Sequence, residues 1–220
     1  VNMKGLLIKD WCMLMKHCRF HLLIICVFLL AAIVSGEMFF LFYPCVLAGM
    51  FTTTLLAYDE QSKWIQYSAT FPYKRSQIVG AKYLLGFILI GITLLLTTGA
   101  NIIFQMRNGG VDISLLTVTL STTMLLGFAM PAISLPFMFK LGVQKGRTAY
   151  FITIGVIFGG IALASLSLKE GNIPVSVAET LNTVLSQAQY ILFPLTVIIV
   201  LLLYVLSYVI AAKLYEKKEL

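Results

Sequence analysis

The chain has 220 residues, 60% of them hydrophobic and 11% charged, and a mean hydropathy of +0.95 sets it apart from soluble globular domains. Spans of about 20 residues, six in number, would use roughly 120 positions, leaving short loops and no room for a separate soluble ATPase, kinase or receptor domain. The net charge of +7 raises nucleic acid as a ligand, but in so apolar a chain the placement of Lys and Arg decides its meaning.

In chain order, Leu7, Trp11, Leu14 and Cys18 recur at helical spacing while Lys9, Lys16 and His17 fall opposite. The pattern predicts an interfacial elbow helix within residues 1–19; a plain positively charged anchor fits the same residues. His17 and His21 lie four apart near Cys18, but no carboxylate or second pair accompanies them and no metal site is predicted. Six uncharged apolar runs follow: Phe20 to Gly36, Met38 to Ala57, Tyr83 to Phe104, Leu115 to Phe139, Ala149 to Leu168 and Tyr190 to Ala212. Leu22 to Val34 ahead of Ser35 and Gly36 could be drawn as a signal peptide, yet the charged stretch before it is too long and too patterned, so it reads as a retained first span.

The connection from Tyr58 to Lys82 is the most informative. Asp59 and Glu60 suit a helix's first turn, Trp64, Tyr67 and Phe71 share one face, and Pro72 stops the helix, which predicts an amphipathic helix over residues 59–71. It could lie in the headgroups through Trp64 and Tyr67, but two acids match an anionic leaflet poorly and a protein partner better. Further on, Asn101 is the strongly polar side chain inside a span, and Pro131 and Pro136 should kink the fourth run. Gly142, Lys145, Gly146, Arg147 and Thr148 echo a phosphate loop with the wrong spacing and no preceding strand, and read as a basic turn. Gly155 and Gly159 form a G-x-x-x-G pair suited to close helix packing, within one bundle or across a dimer. Ser176 and Glu179 make an S-x-x-E box before Val177, Leu181, Val184, Leu185 and Ala188, which predicts an external amphipathic helix over residues 173–189.

Of the sixteen Lys and Arg residues, fourteen fall in segments on one side of a six-span layout and only Arg107 and Lys169 on the other. The positive-inside rule therefore places both termini in the cytoplasm, and orientation accounts for the basic charge without a nucleic-acid partner. The four cysteines avoid the external loops, so disulfides are not expected. No H-E-x-x-H or G-x-S-x-G motif appears and the runs hold no ionisable pair, so neither catalysis nor a proton relay is predicted.

Met3-Lys4-Gly5-Leu6-Leu7 with Lys9-Asp10-Trp11, then Tyr58-Asp59-Glu60-Gln61-Ser62-Lys63-Trp64, then Phe71-Pro72 with Arg75, Ile78-Val79 and Lys82-Tyr83, together resemble the ABC-2-type permeases, the membrane subunits of a class of ABC exporters. The resemblance covers nearly the whole chain as one transmembrane domain, residues 1–220. It implies an all-α integral membrane protein of a bacterial plasma membrane, with six transmembrane helices, elbow, coupling and external helices. Two permeases would join two cytoplasmic ATPase subunits, with ATP and Mg bound by the ATPase and no cofactor in this chain. Asp59, Glu60, Trp64, Tyr67 and Phe71 would couple to the ATPase, and Gly155 and Gly159 would pack the dimer. General similarity points to the Gram-positive exporters of amphipathic cytolytic or antimicrobial peptides, including phenol-soluble modulins. Sodium or antibiotic efflux, a channel or secondary carrier without an ATPase, or a scaffold or immunity protein that transports nothing, are the other readings.

Overall fold

The computed structural model describes residues 3–68, 70–71, 73–146, 148, 151–152, 155–156, 159–160 and 175–217, and among them every regular element is a helix. In chain order these are α1 (Lys4–His17), α2 (Arg19–Ser35), α3 (Met38–Gln61), α4 (Trp64–Ser68), α5 (Arg75–Arg107), α6 (Ile113–Leu141) and α7 (Val175–Glu216). Residues 143–146 form a further helical turn. Among the described residues, four helices are long and apolar enough to cross a membrane, within Phe39–Gln61, Arg75–Arg107, Ile113–Leu141 and Phe193–Glu216; α1 and α2, bent by 73° at their junction, would make a fifth if taken as one span. Most of the run predicted between Ala149 and Leu168 lies outside the described residues.

The core gathers Leu14 of α1, Phe51 and Leu55 of α3, Val79 and Ile90 of α5, Leu135 and Met138 of α6, and Tyr204 and Tyr215 of α7. Because α2 is followed within two residues by α3, the pair forms a tight antiparallel hairpin, and the turn depends on Gly36, whose φ of 66° suits glycine. A Cβ there would also fall 2.1 Å from the Phe104 ring of α5, so the same glycine lets the hairpin close on α5.

α5 runs 33 residues without a proline. From Lys82 to Arg107 it rises about 37 Å, more than a hydrocarbon core of about 30 Å, so the two cations can reach opposite interfaces. α6 carries Pro131 and Pro136. Proline at 136 removes the N–H that the Ala132 carbonyl would accept, and the hydroxyl of Ser207 on α7 donates to that carbonyl instead. Since the Ser207 proton is used there, the Tyr83 hydroxyl is the donor in its 2.7 Å bond to Ser207 Oγ, while Tyr204 donates to the Tyr83 carbonyl at 2.8 Å. These bonds join α5, α6 and α7 at the point where Pro136 removes a backbone hydrogen bond from the continuous α6.

Two sequence expectations need correction. The external helix read over residues 173–189 as separate from the last span is, from Val175 on, continuous with it: α7 is one helix of 42 residues, about 63 Å long, with Pro194 inside it. A helix of that length exceeds the hydrocarbon core about twofold, which is how one element covers both predicted pieces. In α1 the buried face is Leu6, Asp10 and Leu14, one residue round from the apolar stripe read through Leu7 and Trp11, and Trp11 is 45% exposed. Asp10 turns inward because it has lysine partners in the bundle.

Candidate functional site

Four charged residues, from α1, α3 and α5, meet in a closed ring. Lys9 Nζ lies 3.0 Å from Asp10 Oδ1 and 2.8 Å from Asp59 Oδ1; Lys82 Nζ lies 2.8 Å from Asp10 Oδ1 and 2.6 Å from Asp59 Oδ2. Each carboxylate thus serves both ammonium groups, and the ring is electrically neutral. The side chains of Asp10, Asp59 and Lys82 are 2% exposed and that of Lys9 is 23% exposed. Desolvating four charges is affordable only with such complete pairing, and removing one member strands its partners.

Asp59 and Glu60 therefore do not open a helix, as their spacing suggested. They sit in the last turn of α3, where carboxylates oppose the helix dipole. Lysines from α1 and α5 offset that penalty at Asp59. The exposed Glu60 carboxylate accepts the Val143 N–H at 2.7 Å and so caps the helical turn that follows α6. Gly142, with φ of 84°, leaves room for it: a Cβ would lie 3.2 Å from Glu60 Oε1. The glycine turn that echoes a phosphate loop is thus occupied by the chain's own carboxylate.

The predicted helix over residues 59–71 is correspondingly divided. After α3 ends, Lys63 adopts a left-handed φ of 55°, and only Trp64–Ser68 forms α4; Phe71 lies beyond it. The aromatic residues still cluster, with ring centroids 5.7 Å apart for Trp64 and Tyr67, 6.2 Å for Trp64 and Phe71, and 5.2 Å for Tyr67 and Phe71. Their environments differ. Trp64 packs on the core with Lys9 Nζ 4.4 Å above its ring, whereas Tyr67 is 59% and Phe71 39% exposed. The Trp64 indole N–H is buried without a hydrogen-bond partner among the described residues. A cation over an indole face contributes about 0.5–2 kcal/mol and an unmade buried hydrogen bond costs about 1–3 kcal/mol, so the inward indole is held by nearly balanced terms.

Arg75 completes the joined ends. Its guanidinium donates to the Tyr215 and Glu216 carbonyls at 3.3 and 3.0 Å, tying the start of α5 to the end of α7 where the helix presents unsatisfied carbonyls. The arrangement moves no electrons or bonds; it makes one end of the bundle a mechanically connected unit with a solvent-facing aromatic pair on its connection. Among the described residues no group of His, Cys, Asp or Glu could hold a metal ion.

The chain matches the family model described as ABC-2 family transporter protein over residues 5–216. It belongs to that family. No curated protein and no solved structure matches it. As an ABC-2 transporter protein it is a membrane transport component rather than a catalyst, and the family implies partnership with an ABC ATPase.

In this ABC-2 transporter protein the sequence reading singled out Asp59, Glu60, Trp64, Tyr67 and Phe71, and the structure brings them together around the end of α3. Lys9, Asp10 and Lys82 were missed as members of the site. The available signal was Asp10 in register with Leu6 and Leu14, a charge on an apolar face. Gly155 and Gly159 lie apart from this site: both are exposed, and a Cβ on either would meet nothing within 4 Å among the described residues. Asn101, the polar residue noted within α5, accepts from Gln105 Nε2 at 3.1 Å on the same helix.

Proposed function

We propose that this chain is the permease subunit of an ATP-driven exporter, and that its ATPase docks on the connection between α3 and α5. The carrying observation is the exposed Tyr67 and Phe71 pair, set on a short segment whose inner side, through Trp64 and Lys9, joins the buried charge ring. Tyr67 and Phe71 supply the contact surface, flanked by the exposed Lys63 and Lys74. Trp64 stands behind them against the bundle, and Asp59 and Glu60 fix the segment's root. ATP and Mg are held by the partner. Co-purification of an ABC ATPase with the tagged full chain tests the reading; a permease that never retains its ATPase would refute it.

The cargo proposed is an amphipathic peptide, in a Gram-positive plasma membrane. A groove of about 590 Å³ between described residues of α6 and α7 supports this class, because Phe128, Ile133, Phe137, Leu203 and Ile210 give it apolar walls while Lys140 adds a charge. Such walls suit a lipid-like face better than a small ion.

Six spans with both termini cytoplasmic remain the proposed topology, on the distribution of Lys and Arg. In a background without the four native cysteines, a cysteine at Asn108 should react with an impermeant maleimide from outside intact cells, and one at Lys217 should not. The opposite pattern would reverse the orientation. Two permeases should meet through Gly155 and Gly159, both exposed and with no described atom within 4 Å of an added Cβ. Cysteine at Gly155 should then give an oxidised dimer in membranes, and its absence together with a monomer in detergent would remove this contact.

A further inference from the structure

Lys9 holds a place in the charge ring that no other member shares. Asp10, Asp59 and Lys82 are enclosed, whereas Lys9 sits at the rim, its ammonium within 3.0 Å of both carboxylates and 4.4 Å from the Trp64 ring. One side chain thus touches all three parts that a moving connection would have to join: α1, from which it projects, α3 through Asp59, and α4 through Trp64. α5 follows through Lys82, which binds the same two carboxylates.

The link between α3 and α4 is suited to movement. Lys63 occupies the left-handed region at φ 55°, where a side chain is disfavoured, so a return to ordinary backbone angles would reorient α4 on its root. Trp64 is held by its ring face, and its N–H has no partner among the described residues. A contact to a ring face tolerates sliding better than a directed hydrogen bond does, so the indole can shift beneath the ammonium without losing its hold.

We propose that Lys9 is the positioning residue that passes displacement of α4 into α1, α3 and α5, acting through the Trp64 ring on one side and the two aspartates on the other. This rests on the reading of the α3–α5 connection as the ATPase dock. The charge ring makes the three helices respond as one body, and Lys9 is the tie between that body and the docked segment. Lys9→Met removes the charge with little change in length, Lys9→Arg keeps both the ion pairs and the stacking on Trp64, and Trp64→Leu breaks the tie while leaving every charge in place.

The test uses the full chain in complex with its ATPase, with an environment-sensitive fluorophore on a cysteine at Asn108, the far end of α5, in the background without native cysteines. ATP added to the wild-type complex should change the fluorescence. Lys9→Met should bind the ATPase within about twofold of wild type and lose at least about tenfold of the ATP-induced amplitude, while the ATPase continues to hydrolyse ATP. Lys9→Arg should retain the response. Trp64→Leu should lose it to the same degree, and the double variant should lose no more than either single one, as expected for two residues in one linkage. If Lys9→Met fails to fold, Trp64→Leu and Lys9→Arg carry the test. A full response in Lys9→Met or Trp64→Leu, or none in a well-folded Lys9→Arg, overturns the role of Lys9. If the wild-type chain binds no ATPase, the docking reading falls first, and the inference with it.

Discussion

Lys82→Met is expected to destabilise the folded chain by about 3–5 kcal/mol, the cost of breaking a buried ion pair by deleting one partner. The lysine is 2% exposed and binds Asp10 at 2.8 Å and Asp59 at 2.6 Å, so its loss leaves two enclosed carboxylates sharing the single charge of Lys9. Methionine fills most of the volume, and the penalty is therefore electrostatic. Adding Asp10→Asn to Lys82→Met should recover part of the loss, because Lys9 and Asp59 then remain as a balanced pair. Glu60→Gln, at an exposed carboxylate with one backbone hydrogen bond, should cost only about 0.5–1.5 kcal/mol. Denaturant titration of the detergent-solubilised chain would measure all of these, and a loss below about 1 kcal/mol in Lys82→Met would mean that the ring does not hold the helices together.

Tyr67→Ala combined with Phe71→Ala should weaken ATPase binding by at least about thirtyfold, since one aromatic anchor at an interface is often worth about 2 kcal/mol or more. The two rings lie 5.2 Å apart and are both exposed in the free chain, so the folded permease should lose little stability of its own. Trp64→Ala would be a poorer probe of docking because the indole packs on the core and would alter the root of the segment as well. Titration of the ATPase onto immobilised permease reads the change, and binding within about twofold of wild type would place the dock elsewhere.

The all-helical, membrane-crossing character was legible because long uncharged runs leave few alternatives, whereas the break expected at Pro131 and Pro136 is absent, both prolines lying inside the continuous α6. What satisfies the carbonyl left over by Pro136 was not legible: Ser207 lies 75 residues from the Ala132 carbonyl it satisfies, and nothing local marks it. The same holds for the charge ring. Asp59 has helix-opening chemistry when read alone, and only tertiary lysines 50 and 23 positions away allow it to end α3 instead. Local periodicity likewise put Trp64, Tyr67 and Phe71 on one helical face, whereas the left-handed Lys63 and the short α4 turn Trp64 inward and leave the other two rings outside. Which rings of this segment turn inward and which face out depends on contacts made across the fold.

Transport in a defined system tests most directly the claim that an ATPase docked on the α3–α5 connection drives this ABC-2 transporter protein. Permease and ATPase would be reconstituted together in liposomes, with the ATPase side outward, and a fluorescent amphipathic helical peptide added outside with ATP and Mg. ATP-dependent accumulation of the peptide inside, lost in Tyr67→Ala/Phe71→Ala and restored to neither by excess ATP nor by excess peptide, is the predicted result. Accumulation that proceeds equally in that variant, or a wild-type complex in which ATP moves no peptide, would contradict it.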